Sequence, residues 1–202
     1  MKFIRLIILT ALSMVTMQSF AQTPIASLRN MFTSGSVSIE AEYELMVSDA
    51  PVCGETTLLV QGDRYHVRGN GLDIYNDGKT VWTVDENARE VIIEQAAYVQ
   101  QDYMGNPVLL LAKMDEFFKV QSQQSVGSRY VYVMDSIADC GISQVTLTLS
   151  PDGWIVSGKF SLDDGNVFSV KVSSMKKTEE KPASSFSPQI KFGSDWIVTD
   201  LR

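Results

Sequence analysis

From Val37 to Val47 apolar and polar residues alternate, with Val37, Ile39, Ala41, Tyr43, Leu45 and Val47 set against Ser38, Glu40, Glu42 and Glu44. A period of two sends successive side chains to opposite faces, so this stretch predicts a long strand with one apolar and one acidic face. Just before it the period is helical. Ile25, Leu28, Met31 and Phe32 share one face, Thr23 is placed to cap, Pro24 opens the first turn and Gly35 stops it, which predicts a short amphipathic helix over 24–33. Shorter strands follow at 55–61, 64–68, 72–76, 80–85 and 90–94. The turns Gly62-Asp63, Asn70-Gly71 and Asp77-Gly78 between them supply the positive-φ positions of tight hairpins.

The meander breaks at Asn106-Pro107, an N-cap and first-turn proline that open a predicted second helix carrying Leu110, Leu111, Met114, Phe117 and Phe118. Strands resume at 130–134, 143–150, 154–162 and 167–175, joined by Pro151-Asp152-Gly153 and by Asp163-Asp164-Gly165-Asn166. The segment 176–188, rich in Lys, Glu, Ser and Pro, reads as a surface loop, with Phe186 and 190–192 returning as a last strand near the sheet edge.

The N-terminal residues change the picture of destination. Lys2 and Arg5 stand by an apolar stretch from Ile4 to Val15 that ends in Ser19-Phe20-Ala21, which predicts a cleavable export signal over 1–21 and a single domain over 22–202. No later stretch reaches the roughly 20 apolar residues that cross a bilayer. The signal carries two of the 17 basic residues and none of the 24 acidic ones, so its removal takes the formal charge from −7 to −9. That charge disfavours nucleic acid, whose binding runs through Lys and Arg. In an oxidising compartment Cys53 and Cys140 read most naturally as one disulfide, worth up to about 4–5 kcal/mol; the alternative is two free thiols.

Candidate chemistry is sparse. His66, the one histidine, falls on the polar phase of a strand between Tyr65 and Val67 and reads as solvent-facing. Asp85-Glu86 and Asp163-Asp164 fall at turns, where Asp bonds its own backbone, and the latter pair lacks the closing Glu of a calcium loop. Phosphate-binding Gly loops and zinc spacings are absent from the sequence, so no cofactor, metal or catalytic role is expected. What stands out is apolar surface. Two helices of about three turns cover about half of one face of a ten-stranded sheet, and the rest requires closure, a partner or a ligand.

The hairpin Asn76-Asp77-Gly78-Lys79-Thr80-Val81-Trp82, followed by Ala88-Arg89-Glu90-Val91, resembles the signature hairpin of the outer-membrane lipoprotein carrier family, the LolA-like proteins. The order of elements is similar too, as are Asn106-Pro107 with Leu109, Leu110 and Ala112, Asp152-Gly153-Trp154-Ile155, and Phe186-Ser187-Pro188. The resemblance implies an α+β, mainly β fold, an unclosed antiparallel barrel of about ten to eleven strands capped by short helices. It implies a monomeric periplasmic carrier, not an enzyme. Such a carrier takes the acyl chains of lipoproteins or another lipid from an inner-membrane donor to an outer-membrane acceptor. On that reading Ile39, Tyr43, Leu59, Tyr65, Val67, Ile74 and Trp82 line the apolar cavity, and Leu28, Met31, Leu110, Leu111 and Met114 form the lid. Where the family has an arginine that tethers the lid, this chain has Gln61-Gly62, so the tether is either neutral Gln61 or moved to Arg64 or Arg68. The alternative is a regulatory module of the same fold that senses lipid or envelope stress.

Overall fold

Pro24, Leu28, Met31 and Phe32 are all buried on α1 (Pro24–Thr33), the predicted apolar face of that helix. The structure, a computed structural model, describes residues 23–33, 35–47, 50–96, 110–111 and 113–202. The predicted signal, Asn106, Pro107, Leu109 and Ala112 lie outside the described residues.

Two meanders follow α1. The first comprises β1 (Ser36–Val47), β2 (Ala50–Gln61), β3 (Arg64–Gly69), β4 (Leu72–Asn76), β5 (Thr80–Asp85) and β6 (Glu90–Gln95). After helical residues 110–111 and the single turn α2 (Met114–Phe117) comes the second, β7 (Phe118–Val126), β8 (Arg129–Ser136), β9 (Ile142–Leu149), β10 (Ile155–Leu162) and β11 (Val167–Thr178). A one-turn helix at Ala183–Phe186 and β12 (Ile197–Asp200) complete the chain. The twelve strands among the described residues form one sheet in the order β12-β6-β5-β4-β3-β2-β1-β11-β10-β9-β8-β7. The long antiparallel pair β1–β11 welds the two meanders, and β12 joins β6 in parallel. The sheet has β12 and β7 as its edges and is not closed.

Two strands escape the sequence pattern. β7 is polar and exposed along almost its whole length, so no alternation marks it, and Phe118 begins this strand instead of ending the helix. The last strand is β12, not 190–192. Phe192 instead packs with Trp196 against a cluster of Tyr75, Val84, Val91 and Ile93. The expected surface loop is only partly one: β11 runs on to Thr178, and Phe186 is fully buried.

Register separates the faces of the sheet. Ile39 pairs with Leu58, Leu58 with Val67 and Val67 with Ile74, a row of apolar residues on the inner face. The adjacent row, Ser38, Leu59, His66, Tyr75, Trp82 and Ile93, faces the other way. The main core lies between the inner face and the helices, with Leu28, Phe32, Tyr65, Tyr132, Leu147 and Leu149 among its most buried members.

Cys53 and Cys140 are free, which corrects the expected disulfide. Cys53 sits exposed opposite Glu44 on the outer face of β2, whereas Cys140 is buried in the inner-face core, so the sheet itself separates them.

The β9–β10 turn seats α1. Gly153 has φ +86°, and a Cβ there would lie 2.5 Å from the Pro24 carbonyl oxygen and 2.8 Å from the Ser27 Cβ. Gly153→Ala should therefore cost about 1–2 kcal/mol from backbone conformation alone, with further loss from displacing α1. Urea denaturation of the purified protein measures it, and an unchanged midpoint would contradict this packing.

Candidate functional site

Beneath residues 110–111 the inner face leaves a cavity of about 360 Å³. Its floor is β1, through Ile39, Ala41 and Tyr43, and its walls come from both meanders, including Leu58, Val67 and Ile74 on one side and Leu147, Phe160 and Val170 on the other. Leu110 and Leu111 also line it, and the cavity is partly open. Every described lining residue is uncharged. Alternation accounts for this wall: inward positions of β1 to β4 and β9 to β11 are apolar, while Glu40, Glu42 and Glu44 point outward.

The hollow is made partly by what is missing from one cross-strand row. Leu147, Gly158, Val170, Tyr43 and Gly54 are successive partners across β9, β10, β11, β1 and β2. Gly158, between Leu147 and Val170, contributes no side chain to this row. Gly54 lets two side chains approach the backbone, since a Cβ there would meet Asn70 Nδ2 at 2.5 Å and Tyr43 Cζ at 2.8 Å. Those two bond each other, with the Asn70 amide donating to the Tyr43 hydroxyl at 2.7 Å. Tyr43, Phe168 and Phe160 form an aromatic rim, with ring centroids 6.1 and 5.7 Å apart.

Ile39, Tyr43, Val67 and Ile74 of the sequence reading line this cavity, as do Leu110 and Leu111 above it. Leu28, Met31 and Met114 are buried in the same core. Three expected lining residues do not line it. Leu59 lies on the outer face, one step out of phase, and its neighbour Leu58 takes the place. Trp82 also faces outward, against the Tyr75 cluster. Tyr65 faces inward but is fully buried core. Sequence reasoning missed Leu58 because Leu58, Leu59 and Val60 are three apolar residues in a row, which leaves the phase open.

None of the three proposed tethers contacts the lid among the described residues. Gln61 holds the C-terminal segment: its Oε1 accepts from the Lys181 backbone N–H at 2.7 Å, and its Nε2 donates to the Lys181 carbonyl at 3.4 Å. Arg64 lies over the Phe186 ring, 5.1 Å from its centroid. Arg68 donates to Asp73 on the outer face. Arg29 on α1 meets Asp115 on α2 at 2.7 Å.

His66 is on the outer face, as its polar phase predicts, but is half-buried and not free in solvent. It bonds the buried Asp73 carboxylate at 2.6 Å and stacks on Tyr75 at 4.1 Å. Burial, and then the Asp73 charge, push the Tyr75 phenol above its ordinary pKa, while the bond to Asp73 raises Arg68. This network is across the sheet from the cavity. A wider, open hollow of about 730 Å³ beside β1, β11, β10 and β9 mixes apolar and charged lining and shares Tyr43, Gly158 and Val170 with the cavity; there Lys171 meets Glu42 at 3.7 Å. The acids at turns bond their own backbones: Asp85 accepts from Asn87 and Ala88, and Asp164 from Asn166.

Among the described residues no helix is long and apolar enough to cross a membrane. No curated protein is significantly similar to the chain in sequence. Among solved structures, an uncharacterized conserved protein from Thermus thermophilus is similar in fold, with a TM-score of 0.57 at 12% identity, over 87% of this chain and 96% of that one. A LolA superfamily protein from Nitrosomonas europaea matches with a TM-score of 0.45 at 14% identity, over 83% of this chain and 97% of that one. A putative outer membrane lipoprotein-sorting protein domain from Vibrio parahaemolyticus matches with a TM-score of 0.44 at 11% identity, over 80% and 94%. The sequence profile described as "Outer membrane lipoprotein carrier protein LolA" matches residues 68–189. That match runs from β3, through the hairpin of β4 and β5 and through α2, to the buried Phe186, and the chain belongs to this family.

Proposed function

We propose that this chain is a periplasmic carrier that holds acyl chains of a lipoprotein or other lipid between its sheet and its lid, and passes them towards the outer membrane. The observation that carries this reading is the uncharged cavity of about 360 Å³ on the inner face, lined in part by Leu110 and Leu111. Ligand pockets of this kind run from about 300 to 1,000 Å³ and are lined mainly by apolar side chains. Family membership supports the same reading. Catalysis finds no support there, because the one histidine is engaged by Asp73 on the opposite side of the sheet.

Burying hydrocarbon yields about 0.8 kcal/mol per methylene, so a chain of about a dozen carbons gains roughly 10 kcal/mol gross. A carrier must release what it takes. The work of parting the lid from its own core contacts offsets part of that gain and keeps handover possible. The Arg29–Asp115 pair adds little to this, because both side chains are substantially exposed and such pairs contribute about 0.2–1 kcal/mol.

Leu58→Glu should weaken uptake of an environment-sensitive naphthalene dye at least tenfold in a protein that keeps its circular dichroism, whereas Leu59→Glu should leave uptake unchanged. The reverse pattern in a fluorescence titration would place the cavity on the wrong face. Arg29→Ala should speed amide hydrogen exchange at 110–117 by no more than about fivefold, the equivalent of about 1 kcal/mol; a hundredfold change would make this pair the principal latch.

A further inference from the structure

β12 ends the sheet with half of its backbone groups in use. The N–H groups of Ile197 and Leu201 donate to the Arg89 and Ile93 carbonyls of the β6 side at 2.9 and 2.8 Å, and Thr199 lies between them in the same phase. Alternation turns the N–H and C=O groups of Val198 and Asp200 the other way, to an edge where no other described strand pairs with them.

Natural sheets guard such edges with charge, proline or a bulge. β7, the opposite edge, carries Lys119 and a bulge between Val120 and Ser122. β12 is not guarded in this way. Its register with β6 is unbroken, and Ile197, Val198 and Leu201 are 62, 48 and 57% exposed. Its two charges cancel locally, since Arg202 meets Asp200 at 2.6 Å.

The edge is complementary to itself. Laid antiparallel about a two-fold axis at Thr199, Val198 faces the second copy's Asp200 and Asp200 faces its Val198, two pairs that each exchange two backbone hydrogen bonds. On the inner face Ile197 then lies against the second copy's Leu201, and Leu201 against its Ile197, an apolar contact made twice. Sliding by one residue sets Val198 opposite a residue whose backbone is committed to β6. Sliding by two either brings Asp200 against Asp200 or leaves Leu201 beyond the end of the pairing. One register therefore satisfies the open backbone groups, the apolar side chains and the charges together.

We propose that two copies of this chain associate through β12, antiparallel about Thr199, so that their open sheets continue as one. The interface is isologous and closed, which limits assembly to a dimer. About five residues a side fall below the roughly 1,200 Å² of stable complexes, so the association is weak and dependent on concentration.

Site-directed disulfide cross-linking of the full chain tests the register, with Cys53→Ser to remove the exposed thiol. Thr199 is a non-hydrogen-bonded pair with its own copy, at a Cα separation of about 4.5 Å that a disulfide spans. Ile197 is ~13 Å from its own copy, four residues along the strand. Under mild oxidation Thr199→Cys should form covalent dimer at least about tenfold faster than Ile197→Cys, although Ile197 is highly exposed. An equimolar mixture of Ile197→Cys and Leu201→Cys should give the mixed dimer at a rate close to that of Thr199→Cys. Val198→Pro in the Thr199→Cys chain removes an edge donor while sparing the bonds to β6, and should abolish the advantage; if it does not fold, Leu201→Glu should do the same. Sedimentation equilibrium of the unsubstituted chain should show monomer at about 1 µM and dimer growing in by about 500 µM. Equal rates for Thr199→Cys and Ile197→Cys, absence of the mixed dimer, a rate unmoved by both Val198→Pro and Leu201→Glu, or monomer alone at the highest concentration would overturn the inference.

Discussion

A sheet with one apolar face must have that face taken out of water, and in this protein the means of doing so organises everything else. Among the described residues, twelve strands present more inner wall than the ten-residue α1, residues 110–111 and the single turn α2 can occupy. Sheets of this size commonly close into barrels, which removes both the exposed wall and the unpaired edges. Here the sheet stays open, with β7 and β12 as edges. The described helices pack against the core on this wall, and a cavity remains beside them.

The pairing of β1 with β11 makes this possible. It joins two meanders that would otherwise each be a small sheet with an uncovered face, and its inward residues supply the cavity's floor from β1 and part of its wall from β11. The outer face has its own solution. Near β4 to β6 it too is apolar, and Phe192 and Trp196 cover it, with Arg89 paired to Asp195 beside them. Gln61 and Arg64, positions from which a lid tether was expected, instead fasten Lys181 and Phe186 of the segment after β11.

The fold was legible wherever one face is wet and the other dry. β1, β4, β5 and α1 show clear periods, and their observed bounds fall within a residue of the predicted ones. β7 was illegible because both its faces meet water, and β12 because four residues carry too little pattern. The cavity was legible in kind and partly in membership. Ile39, Tyr43, Val67 and Ile74 follow from phase, but the run Leu58-Leu59-Val60 fixes no phase until β1 and β3 pair with it. Trp82 misled for a related reason: a large aromatic residue was assigned to the one core that the pattern suggested, whereas the protein has a second one outside. Gly158 could not be found at all from sequence, because its contribution is the space it leaves.

On the carrier reading, hydrocarbon from outside fills the part of the inner wall that the described helices leave uncovered. Native mass spectrometry of the protein, isolated without detergent from the cells that make it, tests this most directly. A non-covalent adduct of lipid or acyl-peptide mass that is lost on gentle activation is the expected result. Apo protein alone, with the inner wall fully protected from hydrogen exchange and no space for added ligand, would contradict it.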